Sequence, residues 1–167
     1  AILDALTLGS GEWTAPEWCR QADRPGGLIV CDWNARKPRL RFWRSKAYHV
    51  FRQISNTTPV GGPVLRVEAK AEIPGAGPDP VRCLAVGGAG SILCHLQNTH
   101  HSPVRFRVFW PGAAAGGVEG LVTDLARDGA DLPPGAIEVT PPVRGFASAS
   151  GLLPPFGLVS LRLPTAP

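Results

Sequence analysis

The chain has 167 residues, 44% of them apolar and 18% charged, with a net charge of +4. That balance sustains a globular core and excludes a disordered polyelectrolyte, and the modest positive charge does not define a partner. Twenty glycines and eighteen prolines without a collagen-like period point to short elements joined by tight turns.

Residues 1–35 are turn-rich, with "GSGEW", "APEW" and "DRPGG" surrounding one strand-like run, "GLIVCDW". The N-terminal apolar stretch follows no basic region, so no signal peptide is visible in the sequence as it stands. No apolar run reaches the roughly 18 residues of a membrane-spanning helix, so no membrane span is expected. Next comes "RKPRLRFWRSKAYHVFRQIS", in which Arg36, Lys37, Arg39, Arg41, Arg44 and Lys46 alternate loosely with aromatics. Residues 43–54 predict a helix whose Ala47, Val50, Phe51 and Ile54 recur at helical spacing. Two readings of its basic residues stay open. They are the wet outer face of a packing strap, with Phe42 and Trp43 buried at its start, or a contact for nucleic acid or another polyanion.

After Pro59 the period changes to two. "GPVLRVEAKAEI" alternates Val64, Arg66, Glu68 and Lys70 with Leu65, Val67, Ala69 and Ala71. "VRCLAVGG" and "SILCHLQNT" read as a hairpin around Gly87-Gly88-Ala89-Gly90. "SPVRFRVFWPG" puts Val104, Phe106 and Val108 inward and Arg105 and Arg107 outward. "GLVTDLARDGADLPP" reads as a strand and a loop, and "AIEVTPP" and "FGLVSLRLP" as two more strands. The expected fold is mainly β: an antiparallel sandwich over 59–167, with a turn-rich N-terminal segment, 1–58, whose one short helix packs on it.

Four cysteines fall in two local pairs, Cys19 with Cys31 and Cys83 with Cys94. The spacing suits two disulfides in a secreted or periplasmic protein, the second across the hairpin, with four free thiols as the alternative. Asn56 opens an "NTT" glycosylation sequon. Cys94, His95, His100 and His101 lack the spacing of a structural zinc site, and no metal or cofactor is expected. No serine sits in a nucleophile elbow, and the "GGAG" run precedes a strand rather than a helix, unlike a phosphate loop.

The order of pieces resembles the C-terminal part of retaining glycoside hydrolases in which a TIM barrel is followed by a small β-sandwich. "GEWTAPEW" through "KAYHVFRQIS" is similar to the barrel's end, and "TPVGGPVLRVEA" to the first sandwich strand. "ILCHLQNTHHSPVRFRVFW" resembles the sandwich's hairpin, and "LLPPFGLVSLRL" its closing strand. In such enzymes the acid/base and nucleophile glutamates lie on barrel strands upstream of the sandwich. The resemblance therefore implies a non-catalytic module, or a fragment of a longer or split enzyme, that packs against a barrel or binds polysaccharide weakly. Trp13 and Trp18, with Glu12 as a polar partner, are the candidate glycan contacts, because aromatics in a turn-rich segment are easily presented to a sugar ring. Burial against the sandwich is their competing fate, and Trp33 and Trp43, beside regular elements, are read as core. The alternative function is a self-assembling structural sandwich whose 36–46 strip meets nucleic acid or a neighbouring subunit.

Overall fold

The computed structural model describes residues 2–8, 18–21, 27–34, 37–67, 80–112 and 117–165. The chain runs α1 (Ile2–Thr7), β1 (Cys19–Gln21), β2 (Ile29–Asn34), β3 (Lys37–Arg44), α2 (Lys46–Thr57) and β4 (Val64–Leu65). It continues through β5 (Val81–Gly88), β6 (Ser91–Asn98), β7 (Val104–Pro111), β8 (Glu119–Thr123) and β9 (Asp128–Asp131). β10 (Ile137–Val143), β11 (Phe146–Leu153) and β12 (Leu158–Pro164) complete it.

Two sheets make the sandwich. One has six strands in the order β4-β5-β6-β12-β8-β9, the other three in the order β10-β11-β7. Period-two alternation fills the space between them. Val159, Leu161 and Leu163 of β12 meet Val104 and Trp110 of β7 and Ala147, Ala149 and Leu153 of β11. Trp110 is 2% exposed, and its indole N–H donates to the Pro164 carbonyl at 2.7 Å, so the largest core side chain leaves no polar atom unpaired. Arg105 and Arg107 point outward and Phe106 and Val108 are partly buried, as the alternation predicts.

The alternate residues of the six-stranded sheet face the helices. Leu84, Val86 and Leu158 form a second core with Leu3 of α1 and Ile54 of α2. β5 and β6 are the expected hairpin, but they pair through Gly88–Ser91, leaving only Ala89–Gly90 as the turn. Gly90 has φ +68°, in the left-handed region that a side chain resists.

Several expectations are corrected. The helix expected from residue 43 begins at Lys46, because "KPRLRFWR" pairs antiparallel with β2 as strand β3. Ser45 then ends the strand and caps the helix, its hydroxyl accepting from the Tyr48 amide. Ala47 is exposed, and the buried face runs instead through Gln53 and Ile54. A second helix, α1, precedes the one expected. "GLVTDLARDGADLPP" forms two paired strands rather than one, turned by Asp124, whose carboxylate accepts from the Ala126 and Arg127 amides. Of the long strand expected after Pro59, β4 holds Val64 and Leu65, and residues 68–71 lie outside the described residues.

The cysteine pairing is corrected too, since all four thiols are free. The two-residue turn sets Cys83 opposite Leu96 and Cys94 opposite Ala85, a diagonal rather than a facing pair. Diagonal neighbours lie about 7–8 Å apart, beyond the usual disulfide reach. In the parallel β1–β2 pair, Cys19 is opposite Ile29 and Cys31 opposite Gln21, and the two side chains meet as free thiols joined by a hydrogen bond.

Candidate functional site: the helix seat and the two outer faces

Helix α2 sits on the six-stranded sheet through a buried polar chain. Gln53 Nε2 donates to Ser160 Oγ at 2.7 Å and to the Leu121 carbonyl at 3.2 Å, while its Oε1 accepts from Thr123 Oγ1 at 2.6 Å. With Ser160 Oγ already accepting, its own hydrogen is left for His95 Nδ1, 2.8 Å away. The imidazole proton then belongs on Nε2, which donates to Thr58 Oγ1 at 3.0 Å, and Thr58 donates onward to Ile54 at 2.6 Å. Every member is satisfied, the condition under which a buried polar network specifies one geometry. Burial lowers the pKa of His95 to about 4, so the ring is neutral and this donor order holds at neutral pH. A serine and a histidine in contact suggest a nucleophile and base, but both are buried and their hydrogen bonds are spent on Gln53 and Thr58. Here they hold the helix in place.

The helix start is tied as well. Lys46 Nζ bonds Asp128 of β9, which holds that carboxyl below the usual carboxylate range. His49 Nε2 lies 3.6 Å from the same carboxylate. At the other end of α2 a cleft of about 590 Å³ is flanked by Thr57, Glu119, Asp131 and Arg162.

The sequence-nominated residues are scattered over this frame. Trp18 stands immediately before β1 and is 62% exposed, so it is presented rather than buried. Glu12, Trp13 and Arg36 lie outside the described residues. Lys37 and Arg39 lie on β3, and Arg41 and Arg44 are exposed on the same strand. The Arg44 guanidinium rests 5.0 Å from the Tyr48 ring centre, so Arg44 and Lys46 both have partners within the fold. Phe42 (60%) and Trp43 (45%) are exposed on opposite faces of β3, against the expectation that both are core. Trp33 lies on β2. Asn56 is exposed in the last turn of α2.

The thiols are unreactive in two places. Burial pushes Cys83 up to about 11, and burial reinforced by Cys83 pushes Cys94 up to about 12. The Cys19 thiol is raised by its hydrogen bond to Cys31. Cys94 faces the inner core and His95 the helix side, and His100 and His101 stack on each other 4.0 Å apart. Among the described residues no group of three His, Cys, Asp or Glu side chains could hold a metal ion.

The sequence reading overlooked the outer face of the three-stranded sheet. Phe109 of β7 (64% exposed) and Phe146 of β11 (54%) stand there, with Arg105 and Arg107 in line on β7. The period-two alternation that turned the two arginines outward turns Phe109 outward as well, so the signal was available.

The architecture is that of the β-sandwich found in glycoside hydrolase structures. The chain is similar to a family 30 endoxylanase from Clostridium papyrosolvens, at 18% identity and TM-score 0.54 over 73% of this chain and 28% of that one. It is similar to a family 30 subfamily 8 xylanase from Clostridium acetobutylicum, at 19% and 0.55 over 83% and 31%. The third is the catalytic domain of family 30 xylanase C from Talaromyces cellulolyticus, at 17% and 0.58 over 88% and 29%. The chain thus spans less than a third of the length of these structures, and at such identities the likeness is one of fold. No protein-family profile and no curated protein matches the chain. Among the described residues no helix is long and apolar enough to cross a membrane.

Proposed function

We propose that the chain is the non-catalytic sandwich module of an exported carbohydrate-active enzyme and that it docks a catalytic barrel through its β1–β2–β3 sheet. One observation carries this reading. Phe42 and Trp43 project from opposite faces of β3 and both remain exposed, although β1 and β2 pair in parallel. Parallel strands are ordinarily covered on both faces, and paired exposed aromatics mark a surface that another body covers. The fold likeness to family 30 xylanases supports a carbohydrate-active enzyme, and the sequence's resemblance to hydrolases in which a barrel precedes the sandwich suggests the kind of body. The α2 seat transmits that docking to the sandwich, since β3 runs into α2 through Ser45. The alternative of a self-assembling subunit rests on Arg41, which is exposed on β3 where a neighbour could meet it.

The test is the reading frame of the transcript upstream of Ala1. The proposal expects a barrel-length coding region with a glutamate at the end of each of two strands. A frame encoding an unrelated domain there contradicts it.

A further inference from the structure

The six-stranded sheet is covered on its outer side by α1 and α2, whereas the outer side of β10–β11–β7 carries no element among the described residues. Being across the core from the helices, it stays open when a barrel docks on the β1–β3 side. Its residues fall in register. Arg107 is opposite Ser150, which is opposite Glu138, and the next row holds Phe109 opposite Ser148. Phe146 is one diagonal step from Phe109 on the neighbouring strand. Among the described residues, the side chains of Arg105, Arg107 and Glu138 have no ion-pair or hydrogen-bond partner.

We propose that this face binds a uronate-bearing polysaccharide, with Phe109 and Phe146 stacking on sugar rings and Arg105 and Arg107 pairing with ring carboxylates. Charge complementarity selects this ligand. Two arginines without counter-ions among the described residues bind carboxylates by donating through their forked N–H groups. Glu138 accepts from sugar hydroxyls, because an ionised carboxylate offers acceptors only. Such a ligand supplies anionic groups and hydroxyl donors together. Nucleic acid suits the face poorly, since single strands are tracked by a positively charged groove. This face is an open sheet surface with two arginines on β7 and a carboxylate, Glu138, in the row of Arg107.

The inference deepens the reading of the chain as a module of a carbohydrate-active enzyme and rests on it for the ligand class alone. The experiment is affinity electrophoresis of the 167-residue chain in gels containing polygalacturonate, neutral β-glucan or single-stranded DNA. Retardation by polygalacturonate, weakened by salt, is expected. The double variant Phe109→Ala/Phe146→Ala and the double variant Arg105→Ser/Arg107→Ser should each bind roughly tenfold more weakly, as the loss of an aromatic stack or of charge-assisted bonds implies. All four positions are on the sheet's outer face, and thermal melts confirm that the variants fold. No retardation by polygalacturonate, retardation unchanged by both variants, or retention by DNA alone overturns the inference. A Phe42→Asp/Trp43→Asp variant that no longer associates with a barrel yet binds polygalacturonate separates the two claims. The reverse pattern, association intact and polysaccharide binding absent, counts against this face only.

Discussion

The two sheets of the sandwich share one core and differ completely on their outer sides. The six-stranded sheet turns Leu84, Val86 and Leu158 toward two helices and locks α2 with Gln53, His95 and Ser160. The three-stranded sheet turns two phenylalanines and two arginines toward solvent. Apolar side chains therefore serve opposite ends on the two surfaces. Under the helices they stabilise the chain, and on the open sheet they contribute almost nothing to folding, which leaves them available for contact with something else.

Substitutions can break that comparison or sharpen it. The core common to both sheets sets the scale: Trp110→Ala should cost about 3–5 kcal/mol in urea denaturation, from lost transfer energy and the cavity left behind. The seat comes next. Gln53→Leu keeps the volume but strands Ser160, Thr123 and the Leu121 carbonyl, and should cost about 2–3 kcal/mol. Its counterpart on the open sheet, Phe109→Ser, should stay within about 0.5 kcal/mol of the parent. Equal losses at Gln53 and Phe109 would erase the distinction between the faces.

Acid probes the same seat. The folded-state pKa of His95 is lowered to about 4 from an ordinary 6.5, so between these values the unfolded chain binds the extra proton. Stability is then complete above about pH 6.5 and falls as pH drops toward 4, by up to about 3 kcal/mol from this residue. Denaturation midpoints measured across that window should show the slope, and His95→Gln should flatten it. The smallest effect is chemical: alkylation under denaturing, non-reducing conditions should label both Cys83 and Cys94, and intact mass reads the adducts. Two unlabelled cysteines would mean that the β5–β6 register lies elsewhere.

The sequence made the sandwich legible wherever alternation was strong, in β5, β6, β7 and β12, because a half-buried strand writes period two directly. It hid β11, "FASASGLL", whose buried positions Ala147 and Ala149 are too small to stand out from a loop. It also hid β3, where Arg41, Phe42, Trp43 and Arg44 are all exposed, so no single side looks apolar. The helix seat was half visible. Ile54 showed as core, but Gln53 is polar, and its burial is justified only by partners more than sixty residues away. The cysteine pairing failed by two residues, the difference between a four-residue connection and the Ala89–Gly90 turn.

The central claim is that one exposed aromatic surface is covered in the working protein while the other stays open. Hydroxyl-radical footprinting reads both at once, comparing the protein purified from its source with the isolated 167-residue chain. The account predicts that oxidation of Phe42 and Trp43 falls sharply in the source protein while Phe109 and Phe146 are oxidised equally in both. Equal oxidation of Phe42 and Trp43 in the two samples, or protection of Phe109 and Phe146 instead, would contradict it.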